Sequence, residues 1–556
     1  MLDAKGEATL SRDLACEDSV VVITDDWESA NMWKQYKVKA VSNSKYMRAG
    51  ARSIAVQEHG KLIVWWKRSM AQRNRENAER VVHRQEDEGT IVLNRYAASW
   101  RSSTMRERLK LWGLPVAEWA TWADELPPNS GQHYVRSICF WVNGCRIVAA
   151  AQSSTPPQGL PMYRALDDWS KPPYRRLARL ALRAAYAVGW DIAAVTLRCT
   201  PSSAVEGISD LPAGVLDEPQ LGDVIVHIDP VPQRIPSWVR ERYAAAWHEE
   251  TTVHSRIRNK GTQLKLGMDV ELILFDAHAE KIVPAVRYLP KGGAAGCDAV
   301  RLQGRVIYPL MELRPEPAER PAQLVEHLSR AMRLADRIIA EKRASHLQDS
   351  KLVWLGGSHP VGKFSLGGHI HVSGISLTPD LIRALDTYVA LPLALLENPA
   401  GSIRRRPGYG TYGDVREHDH GGEGGFEYRT LPCFIMTPVL TLEVLTLFRT
   451  VAVVYPKLTR RDSVREEVIQ AFLYAYPTRG DNYLTDAGRQ PMRMLALELM
   501  DDLLGEVRKS RNEWRDDSLS MQAEHAIQAL SHRIRAQWIW DENEDLRSTW
   551  LGLSER

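Results

Sequence analysis

Apolar and polar positions along this chain switch repeatedly between a period of two and a period near 3.6. Residues 19–24 (SVVVIT) form a short apolar run of the kind a buried strand needs. Residues 101–112 (RSSTMRERLKLW) follow a helical period that stops at Gly113. Residues 134–140 (YVRSICF) and 146–152 (RIVAAAQ) predict two strands joined at Asn143-Gly144, a dipeptide suited to a tight hairpin turn. Residues 174–188 read as an amphipathic helix closed by Gly189, and 223–228 (DVIVHI) as a strand stopped by Asp229-Pro230. Around 233–262 the texture turns polar and charged. This predicts a first domain over 1–245, a linker over 246–262 and a second domain over 263–556. In the second domain strands and helices alternate, with long amphipathic helices over 321–343 and 379–398. The tail from 463 onward is almost entirely helical in pattern.

The second domain repeats one unusual arrangement on four predicted strands. Asp269 and Glu271 sit in GMDVELILF, Glu312 and Arg314 in YPLMELRP, His369 and His371 in GGHIHVSG, and Glu427 and Arg429 in GFEYRTLP. Residues i and i+2 of a strand point to the same face, so each pair projects together while Val270, Leu313, Ile370 and Tyr428 face the other way. A single pair of this kind is ordinary on a solvated strand. Four of them invite one explanation, a shared polar cavity in which cations offset carboxylates and arginines offset phosphate. Asp269, Glu271, Glu312, Glu427 and a histidine form a hard-to-borderline ligand set that suits Mg²⁺ or Mn²⁺.

Composition narrows the alternatives. At 556 residues the chain is too long for one hydrophobic core, and about two to four domains are expected. A formal net charge of +3 gives no footing for a nucleic-acid partner. The six cysteines are scattered, with no zinc spacing, as in a reducing compartment. No apolar run is long enough to span a membrane and the N-terminus lacks a signal-peptide pattern, so a cytoplasmic location is expected.

Over about 264–435 these residues resemble the glutamine synthetase and glutamate–cysteine ligase superfamily, and within it the phage-type COOH–NH₂ ligases (type 2). The motifs are LGMDVELILFD, KIVPAVRYLPKGGAAGCDAVRLQGRVIYPLMELRP, GGHIHVSG and RRRPGYGTYGDVREHDHGGEGGFEYRTLP, in that order. The resemblance implies an α+β fold whose curved antiparallel sheet holds ATP and Mg²⁺ (or Mn²⁺). It implies metal binding by Asp269, Glu271, Glu312, His369 and Glu427. Arg429, Arg416 and Glu312 become catalytic, and Arg404, Arg405, Arg406, His371 and Arg429 face the nucleotide. The expected reaction joins a small-molecule or peptide carboxylate to an amine through an acyl phosphate. Superfamily members commonly assemble into larger complexes, so a homo-oligomer is among the expectations. Asp269 stands where many relatives have Glu, and the partner of Glu312 is left open between Asp298 and Glu316. The loop 404–420 and the Gly-rich 421–425 are candidates for a lid.

Residues 90–232 resemble an ATP-grasp ligase more weakly. His227 and Asp229 stand where that family has Glu and Asn, and only 17 residues separate Val116 from Tyr134, without a lysine among them. The implied first domain is an α/β ATP-grasp-like module that has lost catalysis. Two other readings stay open for the whole chain: a metal-dependent hydrolase built on His369-x-His371, and an inactive scaffold with a ligase fold.

Overall fold

In the computed structural model the chain divides into two compact units, Met1–Arg256 and Ile257–Arg556. The structure describes residues 264–458 and 486–552 nearly throughout, apart from short breaks such as 303–304, 345–350, 407 and 419–423, and separate stretches of the N-terminal unit. His227 and Asp229 lie on a described strand whose side chains fall outside the described set, as does most of the 117–133 interval.

The N-terminal unit carries two sheets. β1 (Val21–Thr24), β2 (Lys39–Ser42), β3 (Leu62–Val64) and β4 (Thr90–Val92) make a parallel sheet in the order β2-β1-β3-β4. β5 (Arg136–Asn143), β6 (Arg146–Ser154), β7 (Met162–Ala165), β8 (Ile192–Pro201) and β9 (Leu221–Asp229) make an antiparallel sheet in the order β7-β6-β5-β8-β9. The expected hairpin joins β5 to β6, with Gly144 in the left-handed region at φ 61°. Helix α1 (Tyr174–Ala187) buries Leu177, Ala178, Ala181 and Ala184, and Arg108 donates to the Ala187 carbonyl at its C-terminal end. Such an end carries unpaired carbonyls and partial negative charge, which a guanidinium satisfies.

The C-terminal unit is built on one antiparallel sheet. β10 (Lys265–Asp276) is its axis, joined by β11 (Lys281–Ile282), β12 (Ala295–Leu302), β13 (Arg305–Leu313), β14 (Leu352–Leu355), β15 (Gly368–Ser373), β16 (Val415–Glu417) and β17 (Gly425–Tyr428). The main order is β12-β13-β10-β15-β17-β16. The first part of β10 pairs with β13 and β15, and its last residues pair with β14 and β11. The register of β12 against β13 shifts between Asp298 and Val300, opposite Pro309, which has no N–H to give the ladder. The architecture is therefore α+β with an antiparallel sheet at its centre, as the motifs imply.

One face of this sheet is apolar. Met268, Val270, Leu313, Ile370, Val372, Phe426 and Tyr428 are all buried. Against it pack α2 (Pro321–Ala344) and α6 (Pro438–Val454), whose Phe448 meets Tyr428, and the same unit carries α3 (Pro379–Leu385), α4 (Leu391–Ala394) and α5 (Pro399–Arg405). α7 (Asp486–Lys509) and α8 (Asp517–Arg535) pack outside them, and α9 (Leu546–Leu551) closes against α2 and β14. Thr378-Pro379, Asn398-Pro399 and Thr437-Pro438 start α3, α5 and α6. In each, the side-chain oxygen accepts a first-turn N–H and proline occupies the next position, where its missing donor costs nothing. The predicted helix over 379–398 runs to Ala394, with a π-helical turn at Asp386–Ala390 just before Pro392. Pro392 cannot donate to the carbonyl four residues back, and Leu391 instead donates to Asp386.

Candidate functional site

Strand register places the paired polar residues side by side on the other face. Asp269 lies opposite His369, Glu271 opposite Glu312, His371 opposite Glu427, and Glu427 opposite Arg416. Small residues make room between them. Gly267 sits opposite His371 and Gly296 opposite Glu312, where a Cβ would press on the Arg314 guanidinium. Asp298 shares the face of Gly296, two residues on. Of the two candidates left open beside Glu312, Asp298 is thus on the site face, while Glu316 accepts from His327 through its backbone carbonyl.

The groups converge around Asp269 and Glu427. His369 Nδ1 lies 2.9 Å from Asp269 Oδ1 and 3.3 Å from Glu427 Oε1, and His371 Nε2 lies 3.1 Å from Asp269 Oδ2. One ligand atom each from Asp269, His371 and Glu427 lie within 4.8 Å of one another. Arg416 reaches Glu427 Oε2 at 3.0 Å, Arg429 pairs with Glu427 Oε1, and Arg429 Nε stands 3.7 Å from Asp414. Beside this cluster, Arg314 pairs with Glu312. Glu271 accepts from the Gly367 N–H at 2.7 Å and from the Tyr409 hydroxyl at 3.0 Å, and Tyr409 Oη lies 2.6 Å from His369 Nε2.

Burial and pairing pull the ionisable groups apart. Burial alone would raise the Asp269 carboxyl, but His369 and His371 outweigh it and hold the group well below the usual carboxylate range. Glu271 goes the other way. Its burial dominates and Asp298 adds to it, so the carboxyl is raised although His369, Gly367 and Tyr409 oppose the shift. Burial alone would lower the Arg429 guanidinium, but Tyr409, Asp414 and Glu427 raise it and keep it charged. Arg314, Arg416 and Arg429 pair with Glu312, Glu427 and Asp414, while Asp269, Glu271 and Asp298 add three further carboxyl groups. That excess of negative charge, with carboxylate oxygens and imidazole nitrogens pointing inward, fits hard divalent cations.

The arginine run divides. Arg404 is exposed, beside His359 and Gly362. Arg405 is fully buried and donates to the carbonyls of Leu366, Thr430 and Leu431 at 2.7 to 3.0 Å. Arg406 is buried against Glu397 and lies over the Phe472 ring at 4.2 Å. Arg405 and Arg406 thus tie the chain together, a role the sequence reading did not give them. Of two residues that reading passed over, one stands at the site and the other supports it from the opposite face of the sheet. Tyr409 bridges Glu271 and His369. Asp386, in the π turn, accepts from Gly413 N–H, Tyr428 O–H and Thr430 O–H behind Arg429. A polar residue within the apolar run LDTYVALPLALL was the available signal for Asp386. For Tyr409, in a glycine-rich turn, no pattern distinguished it.

The fold is of the ligase type, and its polar sheet face carries Asp269, His371 and Glu427 as a group that could hold a metal ion. Residues 266–493 match the family model described as phage phiEco32-like COOH·NH₂ ligase type 2, the family that the motifs of this segment resemble. A search of curated protein sequences gives no match. Among solved structures, the complex of the prokaryotic ubiquitin-like protein Pup with its ligase PafA is 11% identical, with a TM-score of 0.32 over 49% of this chain and 64% of that one. A bifunctional glutathione synthetase from Pasteurella multocida is 10% identical, at 0.33 over 55% and 50%. Plasmodium falciparum glutamine synthetase is 9% identical, at 0.26 over 77% and 96%. The chain thus spans less than two thirds of the length of the first two structures. Among the described residues no helix is long and apolar enough to cross a membrane.

Proposed function

We propose that the C-terminal unit is an ATP-dependent carboxylate–amine ligase that uses Mg²⁺ or Mn²⁺ and works through an acyl phosphate. The observation that carries this reading is the meeting of Asp269, His369, His371 and Glu427 at one point, with Arg416 and Arg429 both holding Glu427. Asp269, Glu427 and the histidines would hold one cation, and Glu271, Glu312 and Asp298 a second. Bound there, the cations would neutralise phosphoryl oxygens and lower the barrier to displacement at phosphorus.

The substrate carboxylate oxygen attacks the γ-phosphorus of ATP, and the bond from that phosphorus to the bridging oxygen breaks to release ADP. Arg416 and Arg429, held in place by Glu427 and Asp414, supply guanidinium donors to the transferring group. The amine nitrogen then attacks the acyl carbon, phosphate leaves with the electrons of the C–O bond, and the amine loses a proton to give the amide. Arg404 and His371 are assigned to the nucleotide side, and Arg405 and Arg406 to the architecture. The loop 408–418, pinned through Asp386 and Arg405, covers the acyl phosphate against water.

The test is to incubate the chain with Mg-ATP and mixed acids and amines, measuring ADP and phosphate, and to repeat it with hydroxylamine as the amine. ADP release that needs both an acid and an amine, with hydroxamate formed from the acid, is the expected result. Metal-dependent cleavage without ATP would instead support a hydrolase centred on Asp269, His371 and Glu427. Nucleotide binding without turnover would leave a scaffold.

A further inference from the structure

Tyr409 reaches the polar face from the turn between α5 and β16, and it touches both acidic groupings at once. Its hydroxyl donates to Glu271 Oε1 at 3.0 Å, and its oxygen lies 2.6 Å from His369 Nε2. A phenol has one proton and can donate only once. With that proton on Glu271, the short contact to His369 is met by an imidazole that donates its Nε2–H to the phenol oxygen. In the neutral imidazole the other nitrogen, Nδ1, then carries the lone pair. It is Nδ1 that faces Asp269 Oδ1 at 2.9 Å and Glu427 Oε1 at 3.3 Å. A cation entering there would take the place of a proton shared between Nδ1 and Asp269 Oδ1 and would gain Glu427 Oε1 as a third ligand atom.

The surroundings hold this geometry in place. Gly367 donates to the other oxygen of Glu271 at 2.7 Å, and a Cβ at Gly367 would collide with His369 and Tyr409, so only glycine leaves room for their contact. The phenol ring is fixed between the Arg405 and Arg429 guanidiniums, 5.0 and 5.7 Å from its centroid. The His369 ring meets it edge-on at 5.8 Å. None of these ring contacts needs the hydroxyl.

We propose that Tyr409 is a positioning residue that fixes His369 as the Nε2–H tautomer, so that Nδ1 joins Asp269 and Glu427 as a divalent-cation ligand, and that the same hydroxyl links this cation site to the Glu271 site. The proposal rests on the reading that this face binds divalent cations. A histidine ligand commonly has its second nitrogen held by an outer partner that sets tautomer and ring orientation. Here that partner is a phenol shared with a carboxylate of the neighbouring ligand set.

The experiment uses the full chain and its Tyr409→Phe variant, titrated with Mn²⁺ alone and followed by electron paramagnetic resonance. Tyr409→Phe keeps the ring and its cation contacts, so its circular dichroism should match the wild type. Its Mn²⁺ affinity should fall by about 10–100-fold, the usual effect of removing an outer partner of a metal ligand. Undiminished affinity in Tyr409→Phe, alongside lost affinity in His369→Gln, overturns the positioning role and leaves the cation site intact. A wild-type chain that binds no Mn²⁺ overturns the underlying reading as well. A second measurement needs no folded variant of Tyr409. In Mg²⁺-loaded protein labelled with ¹⁵N-histidine, the signals that vanish in His369→Gln should show the Nε2–H pattern in the wild type. The Nδ1–H pattern there would overturn the proposal.

Discussion

Glu427 joins three strands and three kinds of charge. Its two oxygens meet Arg429, Arg416 and His369, and it is almost wholly buried. Removing it leaves two guanidiniums without their acceptor and takes one ligand from the proposed cation site. Removing Arg429 takes a donor from the transferring group and leaves Glu427 with less compensation. On the proposed reading, Glu427→Ala and Arg429→Ala each lower ADP release in the presence of acid and amine by at least about 10²–10³-fold, the scale of losing one preorganised charge-stabilising donor. Near-ultraviolet circular dichroism should stay native in both. Activity at the wild-type level in either would remove that residue from the chemistry.

At the scale of elements, the turn from α5 to β16 is held to the sheet by two buried anchors. Arg405 donates to three carbonyls, and Gly410, at φ 70°, has no space for a side chain against the Arg405 guanidinium. Asp386 gathers Gly413, Tyr428 and Thr430 from the opposite side. The π turn that carries Asp386 arises locally from Pro392. Arg405→Met keeps the volume but strands the carbonyls of Leu366, Thr430 and Leu431. It should cost on the order of 3–5 kcal/mol, because each buried acceptor left unpaired is expensive. The measurement is chemical denaturation. A loss below about 1 kcal/mol, the worth of one ordinary hydrogen bond, would contradict the anchoring role.

The C-terminal unit is closed by its own tail, which returns to the sheet after α8. Trp540 N–H donates to the Leu396 carbonyl, Glu542 accepts from Ser358 N–H, Asp545 accepts from Trp354 N–H, and the Trp550 indole donates to the Ile435 carbonyl. Glu542 lies near Glu397, which accepts from the Ser358 hydroxyl and pairs with Arg406. Burial, reinforced by Glu397, raises the Glu542 carboxyl above its ordinary 4.5, against the hydrogen bonds that favour its charged form. A raised carboxyl binds its proton more tightly in the folded chain than in the unfolded one. Its stabilising contribution is therefore present below the ordinary glutamate range and is lost as pH rises through the folded value. Glu542→Gln should accordingly raise the melting temperature relative to wild type at about pH 8, with the gain shrinking toward about pH 5. A variant that is equally or more destabilised at the higher pH would show that the charged form is the one the fold favours.

The sequence by itself determined what local chemistry can dictate. Alternation put Asp269 with Glu271, His369 with His371 and Glu427 with Arg429 on shared strand faces, because side chains reverse direction at each residue of a strand. The Asn143-Gly144 turn and the start of the long helix at 321 were legible for the same reason, since a turn type or a helical period is fixed within a few residues. Only tertiary structure decided which strands are neighbours, so only it brought Asp269 against His369 and Asp298 onto the face of Glu312. It also separated Arg405 and Arg406, which are buried, from Arg404, which is exposed, although the three are consecutive. In a one-turn run of identical side chains, sequence cannot say which directions meet the interior. The same holds for Tyr409, whose contact with Glu271 spans 138 positions and exists only because the sheet brings their two segments together.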